Sequence, residues 1–78
     1  MSVEYLVVVE KTPTGFSAFV PDLPGCVAAA PSRTEIEEQI RSAVEFHVEG
    51  LRTEGLPVPY AVSEAITAEV SEDGPTYG

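Results

Sequence analysis

One amphipathic helix with a defined start and end constrains this chain of 78 residues more than any other feature. Ser32 and Glu35 form an S-x-x-E capping box, which satisfies free backbone N–H groups at a helix start. Gly55 ends the helix, because the L-P-V-P segment after it contains two prolines that a helix interior does not tolerate. The sequence therefore predicts a helix of about 22 residues that begins at Ser32 or Arg33.

This helix has one apolar face and one polar face when residues are placed at about 100° intervals. The apolar stripe comprises Ile36, Ile40, Ala43, Val44, His47 and Leu51, and the polar face comprises Glu38, Arg41, Glu45, Glu49 and Arg52. Phe46 belongs to neither face, so we expect it to be a flank contact or an exposed aromatic residue. A helix with a single apolar stripe packs on one face of one sheet, which predicts a two-layer α+β fold.

Segments rich in β-branched and aromatic residues lie on both sides of the helix and predict strands. Before the helix they are residues 3–10, 16–21 and 26–30, the last a weak edge strand, and after it the segment V-S-E-A-I-T-A-E-V. In the order β-β-β-α-β, a right-handed crossover returns the last strand beside the first. We predict a mixed four-stranded sheet of order 3-2-1-4, within a domain of residues 1–70 and before a disordered tail of residues 71–78.

The segment V-P-D-L-P-G-C, residues 20–26, predicts a rigid corner between the second and third strands. Two prolines fix the backbone and remove N–H donors, and Gly25 adds conformational freedom. We expect the corner to serve both architecture and recognition, with Asp22 and Leu23 presented to a protein partner at its tip. The alternative is that Leu23 folds into the core and Asp22 caps the turn through its own backbone.

Charge and size indicate the class of partner. The chain carries 13 acidic and 4 basic residues, a formal net charge of −9, which disfavours direct binding to nucleic acid and favours a basic partner. A domain of this size has a small core, so we expect a homodimer or larger oligomer. The interface is predicted on the second face of the sheet, at Leu6, Val8 and Phe19.

The sequence contains few groups that point to catalysis. His47 lies within the apolar stripe and is interpreted as a packed, hydrogen-bonded structural residue, and Cys26 as a small, partly buried hydrophobic residue. There is no metal-ligand cluster, phosphate-binding loop, signal peptide or membrane-spanning stretch. We therefore expect a cytoplasmic protein that is not an enzyme, with no catalytic residues, no metal, no cofactor and no membrane partner.

Three segments in this order resemble the HicB antitoxin family, specifically its N-terminal partial RNase H-like domain. They are Y-L-V-V-V-E-K-T-P-T-G-F-S-A-F-V-P-D-L-P-G-C, the helical A-V-E-F-H-V-E-G-L, and G-L-P-V-P after the helix. The resemblance covers about residues 3–70, and P-D-L-P-G-C is its most specific part. The chain departs from the family at Ala30 and Pro31, where Gly-Asp is frequent, and it stops at Gly78, without the C-terminal DNA-binding domain of many members.

The resemblance implies a non-catalytic type II antitoxin that binds and masks a small, basic, mRNA-cleaving toxin similar to HicA. The net charge suits this role, because an acidic protein competes with RNA for a cationic surface. We expect the toxin to contact Asp22, Leu23 and Phe46. Repression of an operon would require a DNA-binding domain from another chain. The alternative is a stand-alone HicB-like homo-oligomer with a regulatory role and no toxin partner.

Overall fold

The computed structural model describes residues 3–70, which form three strands followed by one long helix. The strands are β1 (Val8–Thr12), β2 (Gly15–Phe19) and β3 (Val27–Ala30), and the helix is α1 (Arg33–Thr53). Both strand pairs are antiparallel, in the order β1-β2-β3. The predicted α+β class with one helix on one face of the sheet is confirmed, whereas the predicted tail lies outside the described residues.

Strand β1 is shorter at its start than the sequence predicts, because its neighbour ends early. Val8 pairs with Phe19, the last residue of β2, and the chain then turns into the corner of residues 20–26. Residues 3–7 therefore extend beyond the sheet with no strand beside them and form no strand themselves. Regular β-structure needs a hydrogen-bonded neighbour as well as a favourable residue pattern.

Gly15 allows the hairpin between β1 and β2 to approach the end of β3 closely. Its φ of 156° is unfavourable for a residue with a side chain, and an added Cβ would lie 2.7 Å from Cα of Pro31 and would also collide with the Ala30 carbonyl oxygen. A residue without Cβ is required here because the obstructing atoms belong to the backbone and cannot rotate away.

The helix begins where the capping box predicts. The Ser32 hydroxyl oxygen accepts a hydrogen bond from the Glu35 backbone N–H at 3.2 Å, and the hydroxyl donates to the Glu35 carboxylate at 2.9 Å. At the other end Gly55 has a φ of 71°, and the Leu56 N–H donates to the Leu51 carbonyl at 2.8 Å. The bonds at the Glu35 N–H and at the Leu51 carbonyl satisfy backbone groups that the helix itself leaves free.

The core lies between α1 and one face of the sheet. Helix α1 packs over β2 and β3, and alternate strand residues point toward it. The buried core residues are Ala18, Val20, Leu23, Cys26, Ala30, Ile36 and Ile40. The rest of the predicted stripe, namely Ala43, Val44, His47 and Leu51, is half-buried, and the predicted polar face is exposed. The predicted orientation of the helix is therefore confirmed.

The predicted fourth strand and the order 3-2-1-4 are not present in the described chain. Residues 56–70 contain neither strand nor helix, and the sheet has three strands. Val62, Ile66 and Val70 remain 74 to 89% exposed. The physical reason is that side-chain hydrogen bonds hold the segment after the helix across the end of the sheet, so it does not run beside β1.

Candidate functional site

The corner of residues 20–26 is closed by its own backbone hydrogen bonds. The Val20 N–H donates to the Cys26 carbonyl at 3.1 Å, the Leu23 N–H to the Val20 carbonyl at 3.1 Å, and the Cys26 N–H to the Leu23 carbonyl at 3.0 Å. Gly25 has a φ of 84°, which residues with a side chain rarely adopt. The corner is therefore a rigid structural element, as its prolines and glycine predict.

Leu23 belongs to the core, and the prediction that it is presented at the tip of the corner is wrong. Its side chain has no solvent-accessible surface and packs in one cluster with Val20, Cys26 and Ile36. The closed backbone loop points the leucine inward, because an apolar side chain is more stable away from water. A protein partner cannot reach this residue unless the corner unfolds.

Asp22 is half-buried, and its carboxylate binds the chain after the helix. One carboxylate oxygen accepts hydrogen bonds from the backbone N–H groups of Val62 and Ser63, and the other accepts from the Ser63 hydroxyl, each at 2.9 Å. The Ser63 N–H is the main cause that holds the pKa of Asp22 below its ordinary value, with further lowering by the Ser63 hydroxyl and the Val62 N–H. This aspartate ties together segments that lie 40 residues apart in sequence.

The sequence did not predict the hydrogen bonds between the Asp22 carboxylate and residues 62 and 63. The alternative interpretation of the corner places Leu23 in the core, as the structure does, but it assigns Asp22 to the backbone of its own turn. A single aspartate and a distant serine form no recognisable local pattern, so no sequence signal identifies the pair.

A second side-chain bond positions the same segment. The Tyr5 hydroxyl donates to the Pro59 carbonyl oxygen at 2.6 Å. Residues 59–63 therefore run from the chain that precedes β1 to the corner that joins β2 and β3. With Asp22, this bond directs the chain after the helix across the end of the sheet.

Phe46 is the most exposed phenylalanine and lies among acidic residues of α1. Its side chain is 83% exposed, which agrees with the expectation of an exposed aromatic residue, and Glu45 and Glu49 beside it are also exposed. We define this acidic helix face as Glu38, Glu45, Phe46 and Glu49. An exposed aromatic ring near carboxylates of the same helix can bind a surface that is basic and partly apolar.

The sheet face away from α1 carries a row of apolar residues, one from each strand. Val8 pairs with Phe19 and Phe19 with Val27, so the three side chains lie side by side on the uncovered face. Phe19 is 38% exposed and Val27 is 66% exposed, while Val8 and the preceding Leu6 are half-buried. The register thus brings together two of the three predicted interface residues and adds Val27, which the sequence interpretation omitted.

The groups that could perform chemistry are dispersed or buried. Cys26 is buried, and this burial raises the pKa of its thiol and disfavours the reactive thiolate. His47 is half-buried, but its imidazole forms no hydrogen bond within residues 3–70, so the predicted side-chain hydrogen bond is absent there. Across the same residues, no three His, Cys, Asp or Glu side chains are grouped to hold a metal ion.

In the described part of the chain, no helix is both long enough and apolar enough to cross a bilayer. The candidate surfaces are an acidic helix face and an apolar sheet face, and neither contains a buried reactive group. The structure defines the class as a small two-layer α+β domain, with three antiparallel strands under one helix.

Comparison with known proteins identifies the family. The chain belongs to the family described as HicB-like antitoxin of bacterial toxin–antitoxin systems, whose profile matches residues 5–76. The fold is similar to a chain of the solved HicA3 and HicB3 toxin–antitoxin complex, with a TM-score of 0.67 and 32% sequence identity over 77% of this chain and 70% of that one. The resemblance based on P-D-L-P-G-C is thereby confirmed.

Two curated relatives have less informative names. An uncharacterized 14.9 kDa protein of the rep-hol intergenic region of Haemophilus phage HP1 is 33% identical over 55 residues, or 70% of this chain. The chain spans 41% of the length of that phage protein. The UPF0150 protein of Helicobacter pylori strain J99 is 39% identical over 49 residues, which cover 63% of this chain and 68% of the relative.

Proposed function

We propose that this protein is a non-catalytic antitoxin that binds and masks a small basic toxin similar to HicA. The observation that carries the proposal is the match to a chain of the HicA3 and HicB3 toxin–antitoxin complex, at 32% identity and a TM-score of 0.67. The family match over residues 5–76 supports the same role. Masking requires only a stable complex that covers the toxin's RNA-binding surface, so the antitoxin needs no reactive group.

Electrostatics supports a basic partner. The net charge of −9 produces a negative potential around a small protein, which speeds its encounter with a cationic surface. A ribonuclease must attract a polyanion, so its RNA-binding surface is expected to be basic. An acidic antitoxin on that surface excludes RNA through both its charge and its volume.

We assign the toxin-binding contact to the acidic helix face, with Phe46 as its apolar anchor. Phe46 is 83% exposed, and the neighbouring Glu45 and Glu49 side chains are free to pair with lysine or arginine. Asp22 is left out of this contact, since its carboxylate is occupied by Val62 and Ser63. Leu23 is buried and does not belong to the contact.

The test is co-purification of the chain with the small basic protein encoded beside it, followed by titration of the complex. We expect Phe46→Ala to weaken binding about 10- to 100-fold, the range of an aromatic interface anchor. Tyr60→Ala is the matched control, because Tyr60 is an equally exposed aromatic residue outside the helix face, at 87%. Equal effects of both substitutions would refute the assignment of the surface, and failure to bind or inhibit the toxin would refute the function.

A stand-alone homo-oligomer with a regulatory role is the second candidate. The uncovered row of Val8, Phe19 and Val27 favours it, and Leu6 extends the apolar surface. Packing this row against a second copy would remove about 100 to 200 Å² of apolar surface per chain, worth about 2.5 to 5 kcal/mol before the costs of association. Phe19→Ser should then shift the mass measured by light scattering toward the monomer, whereas an unchanged mass would exclude this interface.

A further inference from the structure

Strand β3 is an edge of the sheet, and its sequence does not protect that edge. Within residues 3–70 it pairs with β2 alone, in a continuous register without a bulge. Edge strands of soluble proteins usually prevent the addition of a further strand by a charged residue, a proline or a bulge. The four residues of β3, V-A-A-A, include no charge and no proline, and their small side chains leave the backbone accessible. The edge of β3 can therefore accept another strand.

The hydrogen bonds of the ladder identify the backbone groups that face outward. The Val20 N–H donates to the Cys26 carbonyl, so these two residues form a hydrogen-bonded pair. Hydrogen-bonded and non-hydrogen-bonded pairs alternate along an antiparallel ladder, which places Val27 and Ala29 in pairs of the second type. Their N–H and C=O groups point away from β2, and no other residue within 3–70 bonds to them.

A groove runs beside this edge, between β3 and α1. We define the β3-side groove by its lining residues, which are Val27, Ala28, Glu38, Gln39, Ser42, Ala43 and Phe46. The Phe46 side chain, 83% exposed, also lines a second depression further along α1, together with Glu49, Gly50, Thr53 and Glu54. The exposed aromatic ring therefore stands between two depressions, and one of them adjoins the open strand edge.

The charges around this edge select a basic occupant. The described charged residues that line the two depressions are all glutamates, Glu38 in the β3-side groove and Glu49 and Glu54 beyond Phe46. Within residues 3–70, none of the three forms an ion pair. A segment that carries lysine or arginine complements them. A second copy of this chain does not, because two copies paired through β3 would bring their acidic helices side by side.

We propose that the toxin is held by strand addition, with an extended basic segment of the toxin paired along the outer edge of β3. The backbone of this segment bonds to Val27 and Ala29. Alternate side chains of the segment point into the β3-side groove, where lysine or arginine reaches Glu38 and packs on the Phe46 ring. The side chains between them lie beside Val27 on the other face of the sheet and are apolar. This inference rests on the proposed antitoxin function and specifies how its partner is recognised.

The first test is hydrogen exchange of the full chain, resolved by residue with NMR, with and without the purified small basic protein encoded beside it. We expect the amides of Val27 and Ala29 to exchange at least about tenfold more slowly in the complex. By the same alternation, the amide of Lys11 faces outward on the opposite edge strand, β1. Lys11 is the internal control, and its exchange should stay unchanged.

The second test compares substitutions by titration of the same complex. Ala29→Pro removes an outward N–H but no bond to β2, and it should weaken binding about tenfold or more. Lys11→Pro makes the matching change on the β1 edge and should not weaken binding. Glu38→Lys should weaken binding about 10- to 100-fold, and Glu10→Lys, which changes the net charge equally on β1, should have a smaller effect. Melting temperatures verify that each variant folds, and the exchange test decides the proposal if Ala29→Pro does not fold.

The two levels of the argument fail in different ways. Unchanged exchange of Val27 and Ala29 in a complex that does form would overturn strand addition and leave the antitoxin function intact. Equal effects of Ala29→Pro and Lys11→Pro on affinity would do the same. Protection of the two amides that grows with the concentration of the chain alone would indicate a second copy at this edge and would also overturn the proposal. Failure to bind the basic protein at all would refute both strand addition and the antitoxin function.

Discussion

Replacement of Leu23 by alanine tests whether the P-D-L-P-G-C corner is held by its leucine. Among residues 3–70, Leu23 is one of two large side chains without accessible surface, and it packs in the cluster that joins the corner to α1. Alanine removes the transfer free energy of the lost carbon atoms and leaves a cavity. For a buried leucine the two effects together cost about 3 to 5 kcal/mol. The closed backbone loop prevents the corner from collapsing, so we expect the upper half of this range.

The loss is large relative to the stability of so small a domain. At about 0.05 to 0.15 kcal/mol per residue, the whole chain has an unfolding free energy of about 4 to 12 kcal/mol. Each kcal/mol lowers the melting temperature by about 4 to 8 °C in a domain of this size. A loss of about 4 kcal/mol or more should therefore lower the melting temperature of Leu23→Ala by at least about 16 °C.

Urea unfolding followed by circular dichroism measures this effect, with Leu56→Ala as the matched control. Leu56 undergoes the same chemical change but is 48% exposed, so its loss should stay below about 1 kcal/mol. The denaturant dependence of the unfolding free energy should be unchanged in both variants. Equal losses in the two variants, or a Leu23→Ala loss below about 1 kcal/mol, would refute the view that Leu23 anchors the corner.

Three further changes test other parts of the fold. Asp22→Asn should make the stability of the fold less sensitive to acid. The pKa of Asp22 in the folded protein is lowered from 3.8, chiefly by the Ser63 N–H. The ionised carboxylate therefore stabilises the fold above pH 3.8, and this contribution is lost as the pH falls through the lower folded-state pKa. The melting temperatures of the unchanged protein and of the variant, measured from pH 7 to 2, test this, and the same pH dependence in both would contradict it. Ser32→Ala should cost about 0.5 to 2 kcal/mol in urea unfolding by removing the helix cap, and no change would show that the cap is dispensable. Gly15→Ala should lower the unfolding free energy by more than about 1 kcal/mol, because of the φ of Gly15 and the backbone atoms close to it. Gly50 lies in the helix with open space around it, so Gly50→Ala should raise the unfolding free energy by about 0.5 to 1 kcal/mol. Similar shifts in both glycine variants would refute the steric argument.

The sequence by itself determined the elements whose signals are local. The helix begins at its capping box and ends near Gly55, because these features depend on residues within a few positions of one another. The apolar stripe faces the sheet, since the helical period alone decides which side chains share a face. The family also follows from the sequence, through the order of P-D-L-P-G-C, the helix and G-L-P-V-P.

Only the tertiary structure decided the features that depend on distant residues. Whether Leu23 points inward or outward depends on the closed loop and on the helix above it. The bond from Asp22 to Ser63 spans 41 residues, and no local pattern encodes it. The segment after the helix carries the pattern of a strand, but a strand exists only where another backbone is available to pair with it. Two side-chain bonds place that segment elsewhere, and a residue pattern cannot report where a distant hydrogen-bond acceptor will lie.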